Sequence, residues 1–248
     1  MTDTPHSRVM VVEREQSIGR SASLKALMFS LFLMAFFYLF TSFAHGATIS
    51  GSVYSDEGVT KLATSVTVRL LVNGASAGTN ATVSGNYSIT ATVNAGDAIL
   101  VYIDDNATTY SGTTVSVSNG SNLASFNIYT NHLITRHDNA GTLTNANMFT
   151  ALGSYGDATD ICYSTPSPNL NVSCTGMEVF VPTGHSYSPG ANVTTPNMET
   201  RGTFTASGTL TINGNLVNSG TFNGDASTIN INGTPTLSSG TFTSNATS

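Results

Sequence analysis

A repeat of 18 to 20 residues near the C-terminus limits the folds that this chain can adopt more than any other feature. Ile212-Asn213-Gly214 recurs at Ile231-Asn232-Gly233, and Ser219-Gly220-Thr221-Phe222 recurs at Ser239-Gly240-Thr241-Phe242. Gly202-Thr203-Phe204 precedes Gly220-Thr221-Phe222 by 18 residues. Short alternating strands separated by Gly and Asn at such a period indicate a β-solenoid, in which each coil stacks on the next.

The repeat alignment also predicts which side chains fill the solenoid. It places Ile212 over Ile231 and Phe222 over Phe242. We expect eight apolar residues to point inward as stacked columns: Leu210, Ile212, Leu216, Phe222, Ile229, Ile231, Leu237 and Phe242. Outward Thr and Asn would then form rows along the stack, as they do in other cross-β arrangements. The alternative is a continued β-sandwich whose segments are similar by chance.

The composition supports an all-β protein and argues against nucleic-acid binding. Only 9% of the 248 residues are charged, Trp is absent, and the net charge is -6. Gly, Ser, Thr and Asn are poor helix formers but suit short strands and turns. Phosphate binding needs clustered Lys and Arg, and only four such residues follow residue 46: Lys61, Arg69, Arg136 and Arg201.

The N-terminal segment has the layout of a secretory signal peptide. A basic stretch ending in Lys25 precedes the apolar run from Ala26 to Phe40. Small residues then follow at the spacing that signal peptidase reads, which predicts cleavage after Ala44 or Gly46. An uncleaved signal anchor is the alternative, because an apolar run of ~19 residues can also span a bilayer. Either interpretation exports the rest of the chain, so we expect a cell-surface or extracellular location.

Export changes the interpretation of the only two cysteines. Outside the cytoplasm a pair is more often a disulfide than a catalytic thiol, so we expect Cys162 and Cys174 to be bridged. The alternative is two free, buried cysteines.

The boundaries follow from these patterns. We expect a signal peptide or anchor over residues 1–46, a β-sandwich over 47–130, a linking segment or first coil over 131–189, and β-solenoid repeats over 190–248. About seven short strands with turns every ~8–12 residues indicate the sandwich. Asn73-Gly74 is a type I′ hairpin signal within it.

The first of these domains resembles a known family. Its pattern is Ile49-x-Gly51-x-Val53, then Val66-x-Val68, then Gly85-x-Tyr87-x-Ile89, with Gly96 opening a further strand. This pattern is similar to the carboxypeptidase regulatory-like domain and to its relatives, the Cna B-type repeats. The resemblance implies an immunoglobulin-like or transthyretin-like sandwich that serves as a spacer in an exported protein. The Lys of the Cna B-type isopeptide crosslink is missing from the first strand, so the crosslink is not carried over.

The repeats at the C-terminus resemble those of large bacterial surface proteins, including filamentous-haemagglutinin-like adhesins with right-handed β-helices. The resemblance implies a right-handed β-solenoid that serves as a stalk or adhesive surface. The end of the repeats after a Gly-Thr-Phe turn predicts either a longer protein, of which this is the N-terminal part, or a partner that covers the last coil.

The segment 131–189 concentrates the residues that carry chemistry. His132, His137 and Asp138 are metal-ligand types, although their spacing fits no metal motif. Asp157, Asp160 and Glu178 are candidate acid and base groups for a polysaccharide-active enzyme. Asp97, Asp104 and Asp105 form a further possible calcium cluster before this segment. For each set, the alternative is that its members are ordinary surface and turn residues without a functional role, and we favour this interpretation.

We therefore expect a non-enzymatic, exported structural or adhesion protein with no catalytic residue, metal or cofactor. Its expected partners are glycans or other surface proteins, and it would contact a membrane only through an uncleaved N-terminal segment. A secreted carbohydrate-active β-helix enzyme is the alternative.

Overall fold

The fold is taken from a computed structural model, which describes residues 46–104, 110–224 and 227–243. The described residues are mostly β-strands with two short helices. The strands of the first part are β1 Gly46–Tyr54, β2 Thr67–Val72, β3 Ala75–Ala81, β4 Asn86–Thr92, β5 Ala95–Ile103, β6 Thr113–Asn119, β7 Ile128–Tyr129 and β8 His132–Thr135. The helices are α1 Asn145–Leu152 and α2 Ala158–Ile161.

The second part contains thirteen shorter strands. They are β9 Tyr163–Ser164, β10 Leu170–Val172, β11 Glu178–Val181, β12 Ser186–Tyr187, β13 Val193–Thr195, β14 Asn197–Thr200, β15 Thr203–Thr205, β16 Thr209–Ile212, β17 Leu216–Asn218, β18 Thr221–Asn223, β19 Thr228–Ile231, β20 Pro235–Leu237 and β21 Thr241–Thr243.

These short strands form a β-solenoid, as the repeat predicts. Four coils each contribute one strand to each of three faces: β10-β13-β16-β19, β11-β14-β17-β20 and β12-β15-β18-β21. Every pair along these faces is parallel. We call them face 1, face 2 and face 3 in that order. The first complete coil begins at Leu170, within the segment that the sequence assigns to a link or first coil.

A nine-stranded sheet joins the solenoid to the N-terminal strands. Its order is β20-β17-β14-β11-β8-β6-β5-β2-β3, so face 2 continues through β8 into antiparallel strands. The β6–β8 pairing is parallel and crosses residue 130, where the sequence suggests a domain boundary. At the far edge, Asn73 and Gly74 have φ of 49° and 76°, as the type I′ turn between β2 and β3 requires.

The nine-stranded sheet separates two apolar clusters. One side of β2 and β5 packs with the smaller sheet β4-β1-β7 around Ile49, Phe126 and Ile99. The other side faces α1, α2 and the solenoid interior, where Leu100, Val115 and Leu133 belong to one continuous cluster with the solenoid core. Strand β5 is therefore apolar on both sides, which explains its nearly continuous apolar sequence.

Helix α1 packs against β5 and β6, on the side of the nine-stranded sheet that faces the solenoid core. Thr144 begins it with a capping box, because its hydroxyl accepts from the Asn147 backbone N–H while the Asn147 side chain accepts from the Thr144 backbone N–H. Met148 and Ala151 are buried in the cluster. The composition does not predict this helix, whose stability comes from packing rather than from helix propensity.

The aromatic column of face 3 confirms the predicted register. Tyr187, Phe204, Phe222 and Phe242 are direct partners on successive strands. Their ring centroids lie 5.6, 5.0 and 4.9 Å apart in that order. Ile212 likewise pairs with Ile231 on face 1.

The predicted inward residues are buried to different degrees. Leu210, Ile212, Leu216 and Phe222 are fully buried, whereas Ile229 and Ile231 are half-buried. Leu237 and Phe242 are 53% and 36% exposed, because they belong to the last described coil and are covered from one side only. Leu237 aligns with the buried Asn218 rather than with Leu216.

The glycine of each Gly-Thr-Phe motif lies where the backbones of successive coils approach each other closely. A Cβ on Gly220 would lie 2.2 Å from the carbonyl oxygen of Gly202, and one on Gly240 would lie 2.3 Å from that of Gly220. Real Cβ atoms do not approach an oxygen so closely. The repeated glycine is therefore a steric requirement of stacking.

Candidate functional site

The solenoid presents aligned rows of hydroxyl and amide groups. On face 1, Asn171, Thr194, Thr211 and Asn230 are direct partners in one outward row. On face 3, the outward row is Ser186, Thr203, Thr221 and Thr241. These side chains are half-buried or exposed, so the rows form flat polar surfaces at the spacing of the strands.

Asparagine side chains hold the corners of the coils together. Asn197 Oδ1 accepts a hydrogen bond from the Asn215 backbone N–H at 3.0 Å, and Asn215 Oδ1 accepts one from the Thr234 N–H at 3.1 Å. Asn192 Oδ1 accepts one from the Thr209 N–H at 2.8 Å. Each amide thus satisfies a corner N–H of the following coil, and the stacking does not depend on apolar contacts alone.

The outer side of face 2 carries a different arrangement, in which a histidine faces two carboxylates. His132 on β8 pairs directly with Glu178 on β11, and Glu57 comes from the turn after β1. His132 Nε2 lies 3.6 Å from a carboxylate oxygen of Glu178 and 3.8 Å from one of Glu57. The three ligand-type atoms all lie within 4.8 Å of one another. We call these three residues the carboxylate–histidine cluster.

The ring of His132 is held in a defined orientation. Its Nδ1 lies 2.7 Å from the carbonyl oxygen of Thr130, so Nδ1 donates its proton there and Nε2 keeps a lone pair. The ring also makes edge contacts with Tyr129 and Phe180, each at 5.8 Å between centroids. Its side chain is 12% exposed, and burial lowers its pKa. Among the residues that the structure describes, none makes a hydrogen bond to the buried Nε2.

Charged residues from the next strand surround this cluster. Arg201 pairs with both Glu57 and Glu199, and its guanidinium lies 5.0 Å from the centre of the Phe180 ring. Burial raises the pKa of Glu178 to about 6. Burial, together with the nearby Glu178, raises the pKa of Glu199 to about 7. These carboxylates lie where a negative charge is poorly solvated and where a cation would be stabilised.

The structure does not bring together as ligands the three residues that the sequence suggests for a metal site, His132, His137 and Asp138. Asp138 forms an ion pair with Arg136 at 2.7 Å and accepts a hydrogen bond from the Ser116 hydroxyl at 2.6 Å. The backbone N–H of His137 donates to Nδ1 of His185 at 3.3 Å. His137 and His185 therefore form a separate pair beside Arg136.

The three suggested acid and base groups also divide between two places. Asp157 and Asp160 lie with Asp104, whereas Glu178 belongs to the carboxylate–histidine cluster. Asp157 accepts a hydrogen bond from the Tyr102 hydroxyl at 2.9 Å, and Asp104 forms an ion pair with Arg69 at 2.6 Å.

The suggested calcium cluster does not form as a group in the described residues. Asp97 accepts hydrogen bonds from the Asn73 side chain and from the Asn94 backbone N–H, as a turn residue does. Asp104 lies with Asp157 and Asp160, and Asp105 lies outside the described residues.

Cys162 and Cys174 are disulfide-bonded, as predicted. The bridge links the end of α2 to the chain just after β10, so it closes a loop of 12 residues at the first coil. Cys162 is fully buried in the shared apolar cluster.

Sequence reasoning missed Glu57, Glu199 and Arg201. Glu57 is separated from His132 by six strands, and no local pattern connects them. Glu199 lies on β14 and Arg201 directly follows this strand. Both alternate with the buried Met198 and Thr200, so their side chains point to the opposite side of the sheet. Charged residues on a strand that is otherwise buried were the signal that could have identified them.

No protein-family model matches the chain, and neither the curated proteins nor the solved structures contain a significant match to it. Ala44 lies outside the described residues, as does the apolar run before it, while Gly46 is the first residue of β1. In the described part of the chain, no helix has the length and apolar character needed to cross a membrane.

Proposed function

We propose that this protein is an exported bacterial cell-surface or secreted structural protein, in which the solenoid acts as a rigid adhesive stalk. The observation that carries the proposal is the pair of outward rows on faces 1 and 3. Rows of this kind offer hydroxyl and amide groups at a regular spacing without a deep pocket. That arrangement suits weak, repeated contacts to glycans or to neighbouring surface proteins, which multivalency strengthens.

Two further features support a mechanical role. The corner amides and the aromatic column connect each coil to the next, so a load on one coil is shared along the stack. The disulfide closes a loop at the first coil, which suits an oxidising compartment outside the cytoplasm. We further propose that the solenoid is right-handed and that residues 47–130 form the spacer sandwich of the resemblance.

A carbohydrate-active enzyme is less well supported by the geometry. A glycosidase needs two carboxyl groups facing one bond at a defined separation. Glu178 lies apart from Asp157 and Asp160, and of these two Asp160 is fully buried while Asp157 accepts a hydrogen bond from the Tyr102 hydroxyl.

Binding to immobilised polysaccharides tests the adhesive proposal. The purified protein is compared with a Thr194→Glu/Thr211→Glu variant, which places two charges in the row of face 1. The matched control is Thr90→Glu/Thr92→Glu on β4, where both threonines are exposed on a strand outside the solenoid. We expect the face 1 variant to lose binding and the control to keep it.

Two outcomes would contradict the proposal. Equal binding by both variants would show that the rows are not the contact surface. Protection of the protein from protease added to intact cells of the bacterium that makes it, together with its absence from the medium, would show that it is neither exposed on the cell surface nor secreted.

A further inference from the structure

The carboxylate–histidine cluster brings together three groups that all offer lone pairs. The Nδ1 proton of His132 is used by Thr130, so Nε2 can only accept. The oxygens of Glu57 and Glu178 that face it are also acceptors when the carboxylates are ionised. Among the described residues no hydrogen-bond donor satisfies Nε2. A buried acceptor without a donor is costly unless something positive lies between the three atoms.

The separations fit a metal ion better than a direct hydrogen bond. A hydrogen bond between nitrogen and oxygen needs about 2.7–3.2 Å. The observed distances of 3.6 and 3.8 Å exceed this. Two ligand atoms that each lie ~2.0–2.1 Å from an ion in tetrahedral geometry are about 3.4 Å apart. Small movements of the two glutamate side chains would therefore complete such a geometry.

His132 and Glu57 have hydrogen-bond and ion-pair partners of the kind that orient metal ligands in proteins. The Thr130 carbonyl fixes the tautomer of His132, and Arg201 pairs with the Glu57 oxygen that does not face the histidine. Partners of this kind set the direction of ligand lone pairs. Tyr129 and Phe180 restrict the ring further through their edge contacts.

We propose that Glu57, His132 and Glu178 bind one divalent transition-metal ion of the zinc type. One imidazole and two carboxylates suit zinc and its neighbours in the first transition row. Calcium takes six to eight oxygen ligands and magnesium retains its waters, so both fit this set less well. The ion would tie the turn after β1 to β8 and β11, and thereby fasten the N-terminal strands to the outer side of face 2. This role is independent of the proposed adhesive function.

Metal binding by the full-length protein tests the proposal directly. The chelator-treated protein, without an affinity tag, is titrated with Zn²⁺ in a calorimeter and with Co²⁺ under visible absorption. We expect one tight equivalent of Zn²⁺ and, with Co²⁺, the ligand-field bands of a site without thiolate. The matched variants are His132→Gln and His137→Gln, because His137 lies outside the cluster. We expect His132→Gln to lose the site and His137→Gln to keep it.

A second readout separates binding from folding defects. Glu57→Gln changes a partly exposed turn residue, so it is expected to fold even if His132→Gln does not. Zn²⁺ should protect the turn around Glu57 from limited proteolysis in the unmodified protein and not in Glu57→Gln. Arg201→Gln should weaken binding by roughly 10–100-fold, as the loss of an orienting partner does. Absence of Zn²⁺ binding would overturn the proposal, as would binding that His132→Gln and Glu57→Gln leave unchanged.

Discussion

The ring of Phe222 lies 4.9 Å from that of Phe242, with 14° between their planes, yet only the first ring is fully buried. Phe222 lies between two coils, whereas Phe242 is covered by one coil and is 36% exposed. The same residue type at the same position of the repeat therefore contributes differently to stability, depending on whether one coil or two cover it.

This difference predicts unequal costs of truncation. Phe222→Ala should lower the free energy of unfolding by about 3–5 kcal/mol, the usual cost of removing a buried Phe. Phe242→Ala should cost clearly less, because its ring keeps part of its exposure to water when folded. Asn223→Ala, which removes one 3.4 Å contact to Thr205, should cost least. Chemical denaturation of the three variants measures the order, and equal losses for both Phe variants would contradict the stacking argument.

The glycine of the Gly-Thr-Phe motif predicts a second pair of variants. Gly220→Ala should destabilise the protein by about 1–3 kcal/mol, because the new methyl group collides with the Gly202 backbone. Gly156→Ala is the control, since its Cβ would meet no atom within 4 Å. Thermal unfolding of both proteins makes the comparison. Similar melting temperatures would show that the coils separate easily at this corner.

The disulfide predicts a sensitivity to reduction. Opening the 12-residue loop between Cys162 and Cys174 should cost roughly 3 kcal/mol on the chain-entropy model. The Cys162→Ser/Cys174→Ser variant should unfold at lower denaturant concentration than the oxidised protein. Adding a reductant should lower the denaturant concentration at which the unmodified protein unfolds and leave that of the variant unchanged. Free thiols in the native exported protein, found by alkylation and mass spectrometry, would contradict the bridge.

The His137–His185 pair predicts a loss of stability in mild acid. Burial, and then the charge of Arg136, lower the pKa of His185, while Asp138 opposes them. Burial also lowers the pKa of His137, again opposed by Asp138. Below the ordinary histidine pKa of about 6.5, these two residues then bind more protons in the unfolded chain than in the folded one, so their contribution to the free energy of unfolding should fall as the pH falls through that value.

Protonation would also remove an acceptor, because His185 Nδ1 accepts the His137 backbone N–H. His185→Gln should flatten the difference in stability between pH 7.5 and pH 5.5, which are conditions chosen on either side of about 6.5. The raised pKa values of Glu178 and Glu199 act in the opposite direction, and both residues are present in both proteins, so the difference between the two pH profiles isolates the histidine. A variant with the same pH dependence as the unmodified protein would refute this role.

The structure predicts which of the two candidate sites signal peptidase cleaves, after Ala44 or after Gly46. Strand β1 begins at Gly46, which pairs with Thr92, and Ala47 is fully buried. Cleavage after Ala44 leaves this pairing intact, whereas cleavage after Gly46 removes its first residue. N-terminal sequencing of the exported protein should therefore begin at His45. A chain that still begins near Met1 would instead support the signal anchor.

The sequence by itself determined the parts of this protein that depend on neighbouring or repeated residues. The period places Phe222 over Phe242 and Ile212 over Ile231, because identical coils stack best in register. Asn73-Gly74 determines its own turn through backbone conformation, since few other pairs accept positive φ at both positions. The cysteine pair is similarly local, because its members are 12 positions apart along the chain.

Only the tertiary structure decided which distant groups meet. The parallel pairing of β6 with β8 extends face 2 into the N-terminal strands, and no local pattern encodes that choice of partner. It brings the turn at Glu57 against His132 and Glu178, while Asp157 goes to a different cluster. Side-chain chemistry can be listed from a sequence, but a site needs convergence in space. Here convergence depends on long-range strand pairing, whose energy comes from burial on both sides of a shared sheet.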